Sequence, residues 1–342
     1  MRILVNGFGT IGKRVAWAIM RQDDMDLYGI VKTKPDYAAW IAVKNGIDIY
    51  VPGEEHLKMF EEKGLPVKGL ITDALSKVDL VVDATPAKIG AKYKELYKQY
   101  SVKAIFQGGE KPEVAQLSFN TLCNYEQALG KDYVRVVSCN TTGLLRLLCT
   151  LDRAIGVEKV RALLVRRAAD PKEIKKGPIN AIVLDPPNPP SHHGVDVKTV
   201  MPKLDILTYA VVVPTTLMHM HYLVITLRDY ASRAKIISAL EEVSRILLVD
   251  SSKLSIKSTA ELVELARDLG RPRNDFYELL VWENSITVNG KELMLVQSVH
   301  QEAIVVPENI DAIRAMLRLE EDPVEAMHKT DKSLGITGRL TN

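Results

Sequence analysis

Cysteine is scarce in this sequence, with three residues in 342, at Cys123, Cys139 and Cys149. That excludes the dense disulfide framework of a small secreted domain. Neither sign of charge dominates: 45 Lys plus Arg stand against 43 Asp plus Glu, so no global field demands nucleic acid or an acidic membrane as partner. No uninterrupted apolar run reaches about 18 residues, the length a membrane-spanning helix needs. The opening "MRILVNGFG" has no basic leader ahead of an apolar stretch, so the expected location is cytoplasmic. What is there, 46% apolar and 26% charged residues, suits an ordinary globular protein large enough for two domains.

Residues 2–6, "RILVN", form a short apolar strand pattern. They lead into Gly7-Phe8-Gly9-Thr10-Ile11-Gly12 and then the helical pattern "KRVAWAIM". This is G-x-G-x-x-G between strand and helix. Gly7 allows a tight turn, Gly9 lets a pyrophosphate approach the backbone, and Gly12 lets helix pack on strand. Further strands are expected at 26–31, within 78–85 and at 103–107, with a helix at 87–100. This alternation predicts an α/β fold with a Rossmann-type, doubly wound parallel sheet. Ligand then lies at the carboxyl ends of the strands, beside Thr85, Gly108 and Gly109. Where an enzyme restricted to NAD holds an acidic residue, this chain reads Lys32-Thr33-Lys34. Two lysines and a hydroxyl suit a 2′-phosphate, so NADP is expected as the better cofactor with NAD tolerated.

In "YVRVVSCNTTGLL", Tyr133 to Leu145, a strand pattern runs into Cys139 and then into leucines at helical spacing, with Thr at the expected helix start. Unpaired N–H groups there favour negative charge and would lower the thiol pKa, which marks Cys139 as a candidate nucleophile. Cys123 and Cys149 read as inert buried thiols, with an internal disulfide as the alternative in a hyperthermophile. A strand pattern then ends at Arg166 and Arg167. The proline-rich stretch 178–200, with His192 and His193, reads as an ordered binding loop, neither helix nor central strand. No Cys or acidic partner stands at ligand spacing, so no metal is expected. His219 and His221 share one face of an extended run, and spacing does not choose between them. Helical patterns are expected at 233–248 and 258–270, a hairpin turns at Asn289-Gly290, and a last helix starts near Pro307.

Five motifs in order, "NGFGTIGKRVA", "SCNTTGL", "PSHHG", "VPTTLMH" and "VHQE", resemble archaeal-type glyceraldehyde-3-phosphate dehydrogenase. The resemblance implies a nucleotide domain, 1–138, completed by a returning C-terminal helix, 303–342. It implies an α+β catalytic domain, 139–302, with a mostly antiparallel or mixed sheet, and a homotetramer. It makes Cys139 the nucleophile and His219 its base. Ser138, Asn140, His193 and Gly194 match substrate-contacting positions, and Thr10, Ile11, Gly109, Arg167 and Gln301 match cofactor-contacting ones. The implied reaction oxidises glyceraldehyde 3-phosphate with NADP or NAD through a thioester, which inorganic phosphate then attacks. Arg166, Arg167, His192, His193 and Thr141 are the available donors for the two anions. In the bacterial and eukaryotic branch the turn reads S-C-T-T-N, whereas this chain has Asn140 and Gly143. A semialdehyde dehydrogenase of the same chemistry and a non-catalytic dinucleotide sensor are the alternatives.

Overall fold

Short β-branched runs separated by amphipathic helices build the first half of the chain as parallel strands. In the computed structural model, which describes residues 1–170 and 177–340, these are β1 (Arg2–Asn6), β2 (Asp26–Val31), β3 (Ile49–Val51), β4 (Gly69–Leu70), β5 (Leu80–Asp83), β6 (Lys103–Gln107), β7 (Leu117–Phe119) and β8 (Tyr133–Val136). Their order is β4-β3-β2-β1-β5-β6-β8-β7, and every pairing is parallel. The order reverses direction between β1 and β5, and ligands bind at the carboxyl ends of such a switch point. Leu4, Val81, Ala104 and Phe106 on the central strands are fully buried, with Tyr97 packed against them.

By its internal contacts the chain divides into two units. Met1–Ser138 joins Val306–Leu334, and Cys139–Val305 joins the described residues from Gly335. The C-terminal segment is therefore not one helix returning to the first unit. A helix at Val305–Leu317 is followed by a second at Pro323–Leu334. Arg318 breaks them apart at φ +51, and Asp322 caps the second by accepting from the amides of Val324 and Glu325. The first of these helices is tied into its unit by Gln107 donating to Asn309 at 2.7 Å.

The second unit is built on a mixed sheet of β9 (Val157–Arg167), β10 (Val183–Leu184), β11 (Asp205–Val213), β12 (His219–Leu227), β13 (Ile246–Val249), β14 (Leu279–Trp282), β15 (Thr287–Asn289) and β16 (Glu292–Val299). The path runs β10-β11-β9-β12-β16-β14-β13, with β15 paired to β16 as the expected hairpin. Its β11–β9 and β13–β14 pairs are parallel and the rest antiparallel.

Two local expectations are corrected here. The 233–248 pattern splits into a helix, Arg233–Glu241, and β13, because a four-residue apolar run serves a buried strand as well as a helix turn. The stretch 178–200 contains edge strand β10 and a helix, His192–Lys198. The prolines end at Pro190, and nothing after them forbids helix.

Candidate active site

The glycine motif in the first unit is held as its spacing predicts. Gly7 adopts φ +98, and a Cβ there would meet the Ala84 carbonyl oxygen at 2.7 Å. A Cβ on Gly12 would lie 1.8 Å from the Gly7 carbonyl oxygen, so helix and strand touch backbone to backbone. A Cβ on Gly9 would meet nothing within 4 Å. The helix Thr10–Ile19 begins immediately after it without a side-chain cap. A helix start beside open space fits a dinucleotide pyrophosphate.

Thr85 donates from its hydroxyl to Asp83, which also accepts from Tyr97 at 2.6 Å. Gly108 is forced by backbone, since a Cβ there would sit 2.2 Å from the Ser138 amide nitrogen. Thr33 and Lys34 are exposed after β2. Lys32 is not free beside them: it is 9% exposed and pairs with Asp36 at 2.9 Å. Burial pushes the Asp36 carboxyl up, yet Lys32 and the amides of Ala39 and Ala38 outweigh it and hold the pKa below the usual range. The expected three-residue phosphate contact is thereby reduced to Thr33 and Lys34.

In the second unit the helix Cys139–Ala154 starts at the cysteine itself. The threonines expected as the cap lie inside the first turn, and Ser138 stands one residue before the helix. Arg146, fully buried on this helix, donates to the carbonyls of Tyr277 at 2.6 Å and Ile304 at 2.8 Å. Gly143 lets the helix approach β16, since a Cβ there would meet Val299 Cγ2 at 2.6 Å.

Cys139 is the free cysteine. Cys123 and Cys149 are disulfide-bonded, which corrects their reading as inert thiols. The Cys139 thiol departs from expectation too. It keeps part of its surface open, but crowding by protein atoms pushes its pKa up from the ordinary value. Arg167, Arg166 and the amides of Asn140 and Cys139 only partly offset this. Burial outweighs the helix terminus.

The spacing of β12 turns His219 and His221 to the same buried side. His219 Nδ1 accepts the Arg167 amide N–H at 3.0 Å, so the neutral ring carries its proton on Nε2. Burial, then His221, Arg166, Arg167 and His193, hold His219 well below the usual histidine range. The ring is thus a neutral donor. A base at His219 would need a lone pair on Nε2, and this tautomer does not supply one. Cys139 and His219 share Arg166 and Arg167 as charged neighbours, so the structure brings all four together.

The anion donors sort themselves by their partners. Arg167 bonds Glu302 at 3.0 Å and also Asp170. With the Gln301 carboxamide turned to accept, its oxygen lies 2.6 Å from Arg167 Nη1. Thr141 is buried and donates to Asp196 at 2.7 Å, on the His192–Lys198 helix. His193 has both ring nitrogens engaged, and Gly194 donates its amide to Thr208 at 2.9 Å. That leaves Arg166, whose Nε is buried without a partner although its tip pairs with Asp185, and exposed His192. The His192 ring lies tilted by 30° against His193, with centroids 4.0 Å apart. Sequence reading missed Asp185, Asp196, Ser191, Thr208 and Gln297. Ser191 stands inside the PSHHG motif, two residues from the His193 it meets. No motif signals the other four, since each acts by meeting a residue far away in the chain.

Residues 138–285 match the family described as glyceraldehyde 3-phosphate dehydrogenase, C-terminal domain. The glyceraldehyde-3-phosphate dehydrogenase of Hyperthermus butylicus is 60% identical over 341 residues, covering 99% of each chain. Those of Saccharolobus islandicus and Saccharolobus solfataricus are each 56% identical over 336 residues, covering 98% of this chain and 97% and 98% of theirs. The chain belongs to the glyceraldehyde-3-phosphate dehydrogenase family. It is a nicotinamide-dependent oxidoreductase, and the glyceraldehyde-3-phosphate dehydrogenase fold accounts for both sheets. Among the described residues, no helix is long and apolar enough to cross a membrane.

Proposed function

We propose that the protein oxidises D-glyceraldehyde 3-phosphate to 1,3-bisphosphoglycerate, using NADP in preference to NAD. The reaction passes through a thioester on Cys139 and belongs to cytoplasmic glycolysis or gluconeogenesis. The observation that carries this reading is the free thiol at the start of a helix, sharing two arginines with a neutral histidine donor. The open backbone at Gly9 and the exposed Thr33 and Lys34 support NADP as the cofactor.

The residues divide the work as follows. Cys139 adds as thiolate to the aldehyde carbon, its proton passing to solvent. His219 Nε2–H and the amides at the helix start hold the resulting alkoxide. A bound dinucleotide would supply the hydride acceptor, so that collapse of the alkoxide would leave a thioester. Because the alkoxide carries no proton, this step needs no base. Inorganic phosphate then attacks the thioester carbonyl, His219 holds the second alkoxide, and collapse returns the Cys139 thiolate with an acyl phosphate as product. Arg166 and His192 are the donors left for anions. Asn140 has both ends of its amide occupied, so the backbone amides take the oxyanion role.

A homo-oligomer, on the resemblance a tetramer, is supported by an apolar row across three strands. Tyr209 pairs with Leu163, and Leu163 with Tyr222, in register on β11, β9 and β12. They are 54%, 39% and 44% exposed, and a second copy of the chain is the occupant we assign.

The test is formation of reduced cofactor from D-glyceraldehyde 3-phosphate and NADP, with and without phosphate, for wild type and Cys139→Ser. Continuous turnover that requires both phosphate and Cys139 supports the reading. Turnover without phosphate would indicate a hydrolytic enzyme. Cofactor binding without turnover would indicate a sensor.

A further inference from the structure

The Asn140 side chain beside the nucleophile belongs to a chain of buried hydrogen bonds that the reaction scheme does not use. Gln297 Nε2 lies 3.0 Å from His221 Nδ1, and His221 Nε2 lies 2.9 Å from Asn140 Oδ1. Asn140 Nδ2 lies 3.3 Å from His193 Nε2, and His193 Nδ1 lies 3.0 Å from Ser191 Oγ. Ser191 Oγ lies 2.8 Å from Thr208 Oγ1, which lies 3.1 Å from the Ser191 carbonyl oxygen. All six residues are buried, between 0% and 3% exposed.

The donors and acceptors fix one direction. The Gln297 amide donates, so His221 accepts at Nδ1 and carries its proton on Nε2. That N–H donates to the Asn140 oxygen. The Asn140 amide nitrogen donates in turn, so His193 accepts at Nε2 and carries its proton on Nδ1. Ser191 accepts there and donates to Thr208. Each ring nitrogen then has one partner of the right kind. The two histidines hold opposite tautomers because the carboxamide of Asn140 joins them, oxygen toward one and nitrogen toward the other. A hydroxyl side chain at position 140 is too short and has a single oxygen, where the carboxamide places acceptor and donor on two separate atoms.

We propose that His221 and Gln297 are positioning residues for the Cys139 site. Through this one-directional chain they fix Asn140, and with it the first turn of the helix whose amides face the reacting oxygen. The proposal rests on the function assigned to Cys139 above. The charge facing His221 from its neighbouring strand is Arg166, which disfavours a proton there. Burial and Arg166 hold His221 down to about 3, and burial, His192, Arg166 and His221 hold His193 down to about 2.

The experiment compares His221→Gln, whose amide nitrogen replaces Nε2, with His221→Met, which fills similar space and donates nothing. Three readouts are taken on the full chain: kcat and KM, the rate of Cys139 alkylation by iodoacetamide without substrate, and histidine 15N shifts. Loss of one buried hydrogen bond predicts that His221→Met lowers kcat by about 10- to 100-fold. The KM for cofactor stays unchanged, and His193 loses its Nδ1–H tautomer. His221→Gln recovers most of kcat and the tautomer. Equal kcat in the two variants, whether both high or both low, overturns the proposal.

Should His221→Met not fold, Gln297→Glu decides. A carboxylate facing Nδ1 draws a proton onto His221, adding an imidazolium 15N signal and a new ionisation in the alkylation rate. Absence of both overturns the proposal. Alkylation and 15N shifts need no aldehyde, so failure of the assigned activity is read separately from failure of the network.

Discussion

The two units build their sites from different materials. In the first, the decisive contacts are backbone: the Gly12 position against the Gly7 carbonyl, Gly108 against the Ser138 amide, and open space at Gly9. In the second, they are side chains from four separated segments, with the Arg167 amide from a fifth, meeting around Cys139 and Asn140. A phosphate-binding turn needs amides exposed and side chains removed. A thiol that must add to carbon needs donors and neutral rings held at fixed orientation. The first site therefore tolerates no added carbon where backbones touch, and the second tolerates no change of hydrogen-bond sense.

That contrast can be broken by substitution. The largest effect is expected at Gly12→Ala, whose new methyl group meets a carbonyl oxygen at 1.8 Å. Overpacking against backbone costs about 3 kcal/mol or more, and calorimetry would record it as a large fall in Tm. Gly9→Ala sharpens the point. Its methyl group meets no protein atom, so Tm stays near wild type while the Kd for cofactor rises. An equal fall in Tm for both variants would contradict a ligand-facing role for Gly9.

In the second unit, pH is the sharper tool. The buried histidines have folded pKa values below the unfolded value of about 6.5. As pH falls through 6.5 toward 3, the unfolded chain takes up protons that the folded chain refuses. Stability is then lost at up to about 1.4 kcal/mol per pH unit for each such histidine, and denaturant titrations between pH 7 and about 4 measure it. The Cys139 thiol is displaced upward, so alkylation at Cys139 rises steadily with pH past neutrality, about tenfold per unit until the thiol is ionised. A plateau set near pH 6 to 7, about the ordinary histidine pKa, would point to a histidine base and against the neutral donor.

The smallest effect is expected at Lys34→Asp. One charge-assisted contact to a 2′-phosphate changes kcat/KM for NADP about tenfold, leaving NAD little altered. Unchanged preference would move the phosphate contact away from Lys34. Lys32→Ala should instead act on the neighbouring helix, whose cap Asp36 it holds.

What could be read from sequence follows the same division. Gly7, Gly9 and Gly12 were legible because a backbone constraint leaves its mark at fixed local spacing. So were the parallel strands, whose apolar runs need only short-range pattern. Cys139 was found at its strand-to-helix turn, but the direction of its pKa was not. A helix terminus is visible in sequence, whereas the crowding that outweighs it depends on the packed fold. Lys32 looked free until Asp36, four residues on, turned back to meet it. The pair His219 and His221 stood on one face, yet only the Arg167 amide and the Asn140 oxygen tell their roles apart. The break between the two C-terminal helices lies in the left-handed backbone of Arg318, which leaves no mark in sequence, although Asp322-Pro323 carries a readable start for the second.

The most direct test of the central claim is a single-turnover measurement without phosphate. Purified enzyme is mixed with D-glyceraldehyde 3-phosphate and NADP, and reduced cofactor is followed alongside the intact mass of the protein. A thioester on Cys139 predicts a burst of one reduced cofactor per subunit, which then stops. A mass increase by the glyceroyl phosphate group should map to Cys139, and turnover should resume when phosphate is added. Steady reduction with no burst and no modified cysteine would contradict the account.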